Sequence, residues 1–375
     1  MEDIDMNEPP HYRISRMAKE MEARGREILH MEIGDPDLDT DKRIIDAMYR
    51  AALEGYTHYG FSQGIPELRE EIANYLNMKL GVSLDKDNIC LTPGGKAGIY
   101  IVLRLLKPSK MALIEPIWGL YHSFADLMDI KVLNVESRFE DGWIPLDEEI
   151  KKLDKFNVIS IVNPSNPTGV ILPEETLEVI VDKASSIDAY IFADELYFDL
   201  IHDNTKFTSF LNMEYEKVIS VFSFSKNFAM TGFRVGYIVS PNKELISRYI
   251  KLQRLILGGV PPFIQYGALE AMRNKDIIER NRRFYVETSK YFVDGLERLG
   301  FEMIKPKAGI YVFPKVPSSI DGTRFVEKLL VEGGLAVSPG TAFGNYPDFI
   351  RFTTALKIEK LDAALKILEK VLIDL

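Results

Sequence analysis

Five short runs in this chain, 111–115, 158–162, 190–193, 218–222 and 235–239, are almost wholly apolar. A strand with one face in water alternates apolar and polar side chains. A continuous apolar run instead fits a strand covered on both faces. Amphipathic stretches with helical spacing, 67–79, 98–106, 174–184 and 243–255, fall around these runs. That alternation restricts the chain to an α/β sandwich with a largely parallel sheet. The 375 residues, with 46% apolar content, suffice for one large core and a second, smaller one.

After about residue 271 the pattern changes. A charged helical stretch (276–299) leads to a short apolar run (311–313), a helix over 323–332, the turn Ser338-Pro339-Gly340 and a terminal helix over 358–372. This reads as a smaller α+β domain that the N-terminal segment completes. The expected division is an arm and part of the small domain over 1–40, a large domain over 41–272 and the small domain over 273–375. No fixed-period repeat or low-complexity linker interrupts it.

Net charge is −10, with the acidic residues dispersed, which argues against a nucleic-acid surface. Residues 1–8 are acidic and lack the apolar run of a signal peptide, and no charge-free apolar stretch is long enough to span a bilayer. Cys90 is the only cysteine, so no intrachain disulfide can form and a reducing compartment is expected. These features together read as a cytoplasmic protein.

In open α/β sheets the ligand crevice lies beyond the carboxyl ends of the strands. Four pieces of sequence stand just there. The clearest is Ser223-Phe224-Ser225-Lys226, with Arg234 eight residues after the lysine. A lysine leaving a buried strand can be desolvated, which lowers its pKa and makes the amine nucleophilic. Arg234 has the charge and fork geometry to hold a phosphate. Taken alone, a lysine after a strand is most often merely solvent-exposed. Asp194 closes a second strand and could bind a metal, cap a helix or pair with a cation. No spaced ligand set supports the metal, and the five histidines are scattered and read as structural.

The third piece, Asn163-Pro164-Ser165-Asn166-Pro167-Thr168-Gly169, is ordinary turn chemistry that also leaves Asn166 free to bond a ligand. The fourth, Thr92-Pro93-Gly94-Gly95-Lys96-Ala97, presents backbone N–H groups at a helix start, where the dipole favours an anion. A P-loop would need glycine at 90 and a hydroxyl residue at 97, and the chain has Cys90 and Ala97. No G-x-G-x-x-G occurs either, so a dinucleotide dehydrogenase lacks its fingerprint.

In this order and spacing, the four pieces resemble fold-type I, pyridoxal-phosphate-dependent aminotransferases of class I/II, from about Ile33 to Arg351. Gly34-Asp35-Pro36-Asp37, the segment Tyr59 to Arg69, Pro116-Ile117-Trp118, Ser338 to Gly344 and Arg351-Phe352 add to the match. The resemblance implies a three-layer large domain with a mainly parallel seven-stranded sheet, beside a small α+β domain built from both chain ends. It implies that Lys226 carries pyridoxal 5′-phosphate through a Schiff base and acts as the catalytic base. Asp194 would face the pyridine nitrogen, Tyr197 and Asn166 the ring's phenolic oxygen, and Trp118 a ring face. Arg234, Ser223 and the N–H groups of Gly95 and Lys96 would grip the phosphate. Tyr59 would reach the phosphate of a neighbouring subunit, which makes a homodimer with shared active sites. Arg351 would fork onto the substrate α-carboxylate, with Gly34 and Asn166 beside it.

Lys96 admits two readings: a helix-start residue that contributes only its backbone, or the group that meets a distal substrate carboxylate, as in a prokaryotic aspartate aminotransferase subgroup. Against the second, Leu257-Gly258-Gly259-Val260-Pro261-Pro262 stands where that subgroup has hydroxyl residues, which could widen or depolarise the pocket. Aspartate with 2-oxoglutarate is the expected substrate pair. Aromatic or aliphatic amino acids, and carbon–sulfur β-elimination, remain alternatives. A non-catalytic aminotransferase-like binding protein is the alternative outside the class. About thirty residues precede Ile33, too few for the winged helix such regulators carry.

Overall fold

The structure, a computed structural model, describes residues 10–317 and 320–373. The acidic segment 1–8 lies outside the described residues. After a two-residue strand β1 (Leu29–His30), seven strands form one sheet: β2 (Ile89–Thr92), β3 (Lys110–Glu115), β4 (Lys131–Glu136), β5 (Val158–Val162), β6 (Tyr190–Asp194), β7 (Val218–Ser223) and β8 (Gly236–Val239). Their spatial order is β2-β8-β7-β6-β5-β3-β4. Only β8 runs against its neighbours, pairing antiparallel with both β2 and β7.

Each apolar run divides its side chains between two cores. Met111 and Leu113 pack on one face with Ile99 and Val102 of the helix Gly95–Leu106 and Leu245 and Tyr249 of the helix Lys243–Ile256. Ala112, Ile114, Ile159, Ile161, Ile191 and Ala193 pack on the other with Leu177, Ile180 and Ala184 of the helix Glu174–Ser186. Burial on both faces is why these strands carry no polar alternation. Two strands escape the apolar pattern. β4 is an edge strand whose Lys131, Leu133, Asn134 and Glu136 face solvent, and β2 is only four residues long.

A separate core joins the two chain ends. Ile14, Ala18 and Met31 are buried with Phe292, Leu296, Phe325, Leu335, Phe352 and Leu368. β1 pairs in parallel with β10 (Leu335–Ala336), after β9 (Tyr311–Val312); β11 (Ser338–Pro339) and β12 (Ile350–Thr353) then form a three-stranded sheet with β9. The predicted helix over 323–332 is α-helical only through Gly322–Lys328. It continues as a π-helical turn, Leu329–Gly333, which Gly334 ends at a φ of 69°. The helices Asp276–Arg298 and Ile358–Ile373 match their expected spans to within a residue.

Candidate active site

The parallel strands β5, β6 and β7 end on one edge of the sheet, bringing Asn163, Asp194 and Ser223 to it. A cleft of about 550 Å³ opens there, lined by Gly34, Gly95, Lys96, Trp118, Asn166, Asp194, Tyr197, Ser223, Lys226, Arg234 and Arg351 among others. These are the site residues expected from sequence, with one exception. Tyr59 is fully exposed and lines a different hollow, with His58, Gly60, Phe61 and the segment 257–263. The Leu257 to Pro262 stretch borders that second hollow with Tyr59 and does not line this chain's own cleft.

Lys226 follows β7 by three residues, and its Nζ donates to the Gly34 carbonyl. Burial lowers its pKa below that of an ordinary lysine, against the opposing influence of Tyr311 and Asp35. Gly34 leaves no room for a side chain, because a Cβ there would collide with the Tyr311 hydroxyl. Asp194 is buried at the end of β6, where Oδ2 accepts from the Tyr121 hydroxyl (3.1 Å) and Oδ1 from the Leu196 N–H (3.3 Å). Burial raises its carboxyl to about 7 even though both bonds favour the anion. No cation pairs with it among the described residues. Tyr197 is buried edge-on against Tyr311, and burial pushes its phenol well above the usual range.

Gly94 has a φ of 78° and a ψ of 162°, a conformation essentially restricted to glycine. A Cβ there would run into the guanidinium of Arg234. Arg234 itself takes a left-handed φ of 55°, and its Nη1 donates to the Thr231 carbonyl (2.9 Å). The helix Gly95–Leu106 starts beside it with no side-chain cap, so its first N–H groups are open to an anion. Ser223 Oγ bonds Ser225 Oγ at 2.9 Å, and both hydroxyls border the cleft.

Arg351, on β12, is buried; its Nη1 donates to Asn166 Oδ1 (3.0 Å) and its Nη2 to the Glu32 carbonyl (2.6 Å). Its guanidinium carbon lies 4.1 Å from the Tyr311 ring centroid and 4.7 Å from that of Phe343, and its Nε is buried without a partner among the described residues. Lys96 Nζ donates to the Tyr12 hydroxyl (3.0 Å) and sits 5.7 Å and 5.5 Å from the ring centroids of Tyr12 and Trp118.

The family model for aminotransferase class I and II matches residues 26–368. The chain belongs to that family. This aminotransferase is 32% identical to the aspartate aminotransferase of Pyrococcus horikoshii, over 94% of this chain and 93% of that protein. It is equally identical (32%) to the (5-formylfuran-3-yl)methyl phosphate transaminase of Methanocaldococcus jannaschii, over 96% and 95%. The solved aspartate aminotransferase of Thermus thermophilus with maleate superposes with a TM-score of 0.92 at 28% identity, covering 98% of this chain and 97% of that one.

Families of this kind use pyridoxal phosphate, and the aminotransferase's cleft fits such a group on its own geometry. A buried carboxylate lacking a cation suits a protonated ring nitrogen. The Gly94 cradle, the uncapped helix start and Arg234 suit a phosphate. Sequence reasoning assigned no role to Tyr121, Ser225 or Tyr311. Tyr121 lies three residues beyond Trp118, at the start of the helix Leu120–Leu127, and could have been found from that spacing. Tyr311 belongs to the short apolar run 311–313, with nothing local to show that it would stack on an arginine forty residues away. No helix among the described residues is long and apolar enough to cross a membrane.

Proposed function

We propose that this aminotransferase moves the α-amino group of aspartate to 2-oxoglutarate, using pyridoxal phosphate carried on Lys226. The observation that supports the substrate class is a pair of cations. Arg351 and Lys96 border one cleft, and neither has a carboxylate partner among the described residues. Two unpaired cations suit a dicarboxylate, one for the α-carboxylate and one for the distal group. The relatives named for aspartate point the same way.

Pyridoxal phosphate, when bound, supplies an electron sink for the charge left at the substrate Cα. The chain supplies the rest. Asp194, oriented by the Tyr121 hydroxyl and the Leu196 N–H, would meet the ring nitrogen, whose proton would favour its anionic form. Gly95, Lys96, Ser223 and Arg234 would hold the phosphate, Trp118 would cover a ring face, and Tyr197 and Asn166 would meet the phenolic oxygen. Arg351, fixed by Asn166 and the Glu32 carbonyl, orients the amino acid by its α-carboxylate, with Gly34 alongside. Lys226 Nζ, its pKa lowered by burial, would act as the base that takes the Cα proton. Because both half-reactions use one site, ping-pong kinetics follow.

We further read the chain as a cytoplasmic homodimer with the domain limits 1–40, 41–272 and 273–375. The full exposure of Tyr59 supports a role for it at a neighbouring subunit's phosphate. A steady-state screen of amino acids with 2-oxoglutarate as acceptor tests the substrate reading. Aspartate should give the highest kcat/KM, and Lys96→Ala should raise KM for aspartate at least tenfold more than for alanine. Preference for an aromatic amino acid, whose side chain Tyr12 and Trp118 could flank, would overturn it.

A further inference from the structure

Beside the cleft, a second set of charges is arranged that the proposed chemistry does not use. After β1, the chain continues through Met31 and Glu32, held on both sides. The Met31 N–H donates to the Ala336 carbonyl (2.8 Å), and the Met31 carbonyl accepts from the Thr353 N–H (3.0 Å). The Glu32 carbonyl accepts from Arg351 Nη2 (2.6 Å) and from Ser338 Oγ (3.1 Å). The Glu32 side chain is wholly buried. Its Oε1 meets His30 Nδ1 at 2.9 Å, while Oε2 is buried with no partner among the described residues. The other ring nitrogen of His30, Nε2, meets Glu22 Oε1 at 3.2 Å, on the helix Pro10–Ala23.

A buried carboxylate is costly unless a cation compensates it. Two cations act on Glu32: His30, which it contacts, and Arg351, whose charge it influences without forming an ion pair. Arg351 is required to meet a substrate carboxylate, so the two anions compete for one guanidinium. Hydrogen bonds that its ring nitrogens donate to Glu32 and Glu22 favour the imidazolium form of His30, whose pKa is raised to about 9. The charges then close: His30 compensates Glu32, and the substrate compensates Arg351.

We propose that His30 is a positioning residue that keeps the Glu32 carboxylate engaged, so that Arg351 stays open to the α-carboxylate of the substrate. Loss of the His30 charge leaves Glu32 with Arg351 as its remaining cation, and an incoming carboxylate then meets a site already neutralised. The inference rests on the reading of Arg351 as the α-carboxylate site.

The test is calorimetric titration of the holoenzyme with two unreactive acids, maleate and the monocarboxylate 3-phenylpropionate, in wild type, His30→Gln, Glu32→Gln and the double variant. His30→Gln should weaken both acids by about tenfold or more. Glu32→Gln and the double variant should stay within about threefold of wild type, because removing the competing charge removes the need for its partner. His30→Lys, which keeps a cation, should also bind like wild type. If His30→Gln does not fold, the double variant decides, since it lacks the uncompensated carboxylate. Double-variant binding as weak as His30→Gln, or weak binding where only the double variant folds, would overturn the proposal in favour of a purely structural role. So would undiminished binding by His30→Gln. Wild type that binds neither acid would instead remove the reading of Arg351, and the proposal with it.

Discussion

Replacing Arg351 with lysine keeps a cation at the end of the cleft but removes the fork. In the structure two of its nitrogens are committed: Nη1 to Asn166 at 3.0 Å and Nη2 to the Glu32 carbonyl at 2.6 Å. Stacking between Tyr311 and Phe343 fixes the guanidinium plane, and Nε is left without a partner. An α-carboxylate can therefore take two charge-assisted bonds from a plane that is already oriented. Lysine can offer one, from a flexible stem, and loses the protein bonds that oriented the group. A hydrogen bond to a charged group contributes about 1.5–3 kcal/mol. At about 1.4 kcal/mol per factor of ten, loss of one such bond should lower kcat/KM by roughly 10- to 150-fold. The assay is coupled steady-state turnover of aspartate and of alanine with 2-oxoglutarate, with the melting temperature checked alongside. The α-carboxylate is common to both donors, so the two factors should agree to within about threefold. A change of less than twofold, or a loss confined to aspartate, would refute the assignment.

Three further outcomes follow from the same geometry. Tyr121→Phe removes one of the two bonds that favour the Asp194 anion, with little change in volume. The carboxyl, already at about 7, should rise further, and the dissociation constant for pyridoxal phosphate by spectral titration should increase about tenfold or more. Gly94→Ala forces a side chain into a φ of 78° and against Arg234, so it should weaken cofactor binding by a similar factor while leaving substrate preference unchanged. His30 stands at about 9 in the folded chain against 6.5 as the ordinary value, raised by Glu32 first and then Glu22. A raised folded pKa means that its stabilisation is complete below pH 6.5 and is lost as pH climbs through 9. Melting temperatures between pH 6 and 10 should fall more in wild type than in His30→Gln; parallel curves would contradict this.

Much of this was legible in the sequence, for physical reasons that also mark where legibility stopped. β3, β5, β6 and β7 announced themselves because both their faces are buried, and so nearly every side chain is apolar. β4 stayed hidden because an edge strand half in water reads like a loop, and β8 gave no sign that it runs antiparallel. Local pattern reports burial, not direction. Lys226, Asp194, Ser223 and Asn166 were found because strand ends converge on one edge in any parallel sheet. Arg351 could be located only through the family resemblance, since β12 reaches the cleft by the pairing of β1 with β10 and of Met31 with Thr353, contacts spanning some three hundred residues. The same long-range closure hid the roles of Glu32, His30 and Tyr311. Glu32 and Tyr311 act through Arg351, remote in sequence, and His30, though only two residues from Glu32, acts on Arg351 through it.

The central claim is that one amine, on residue 226, carries the cofactor. Borohydride reduction of the coloured holoenzyme, followed by peptide mass mapping, tests it directly. A phosphopyridoxyl adduct on Lys226, absent from Lys226→Ala, is the predicted result. An adduct on any other lysine, or none from active protein, would contradict it.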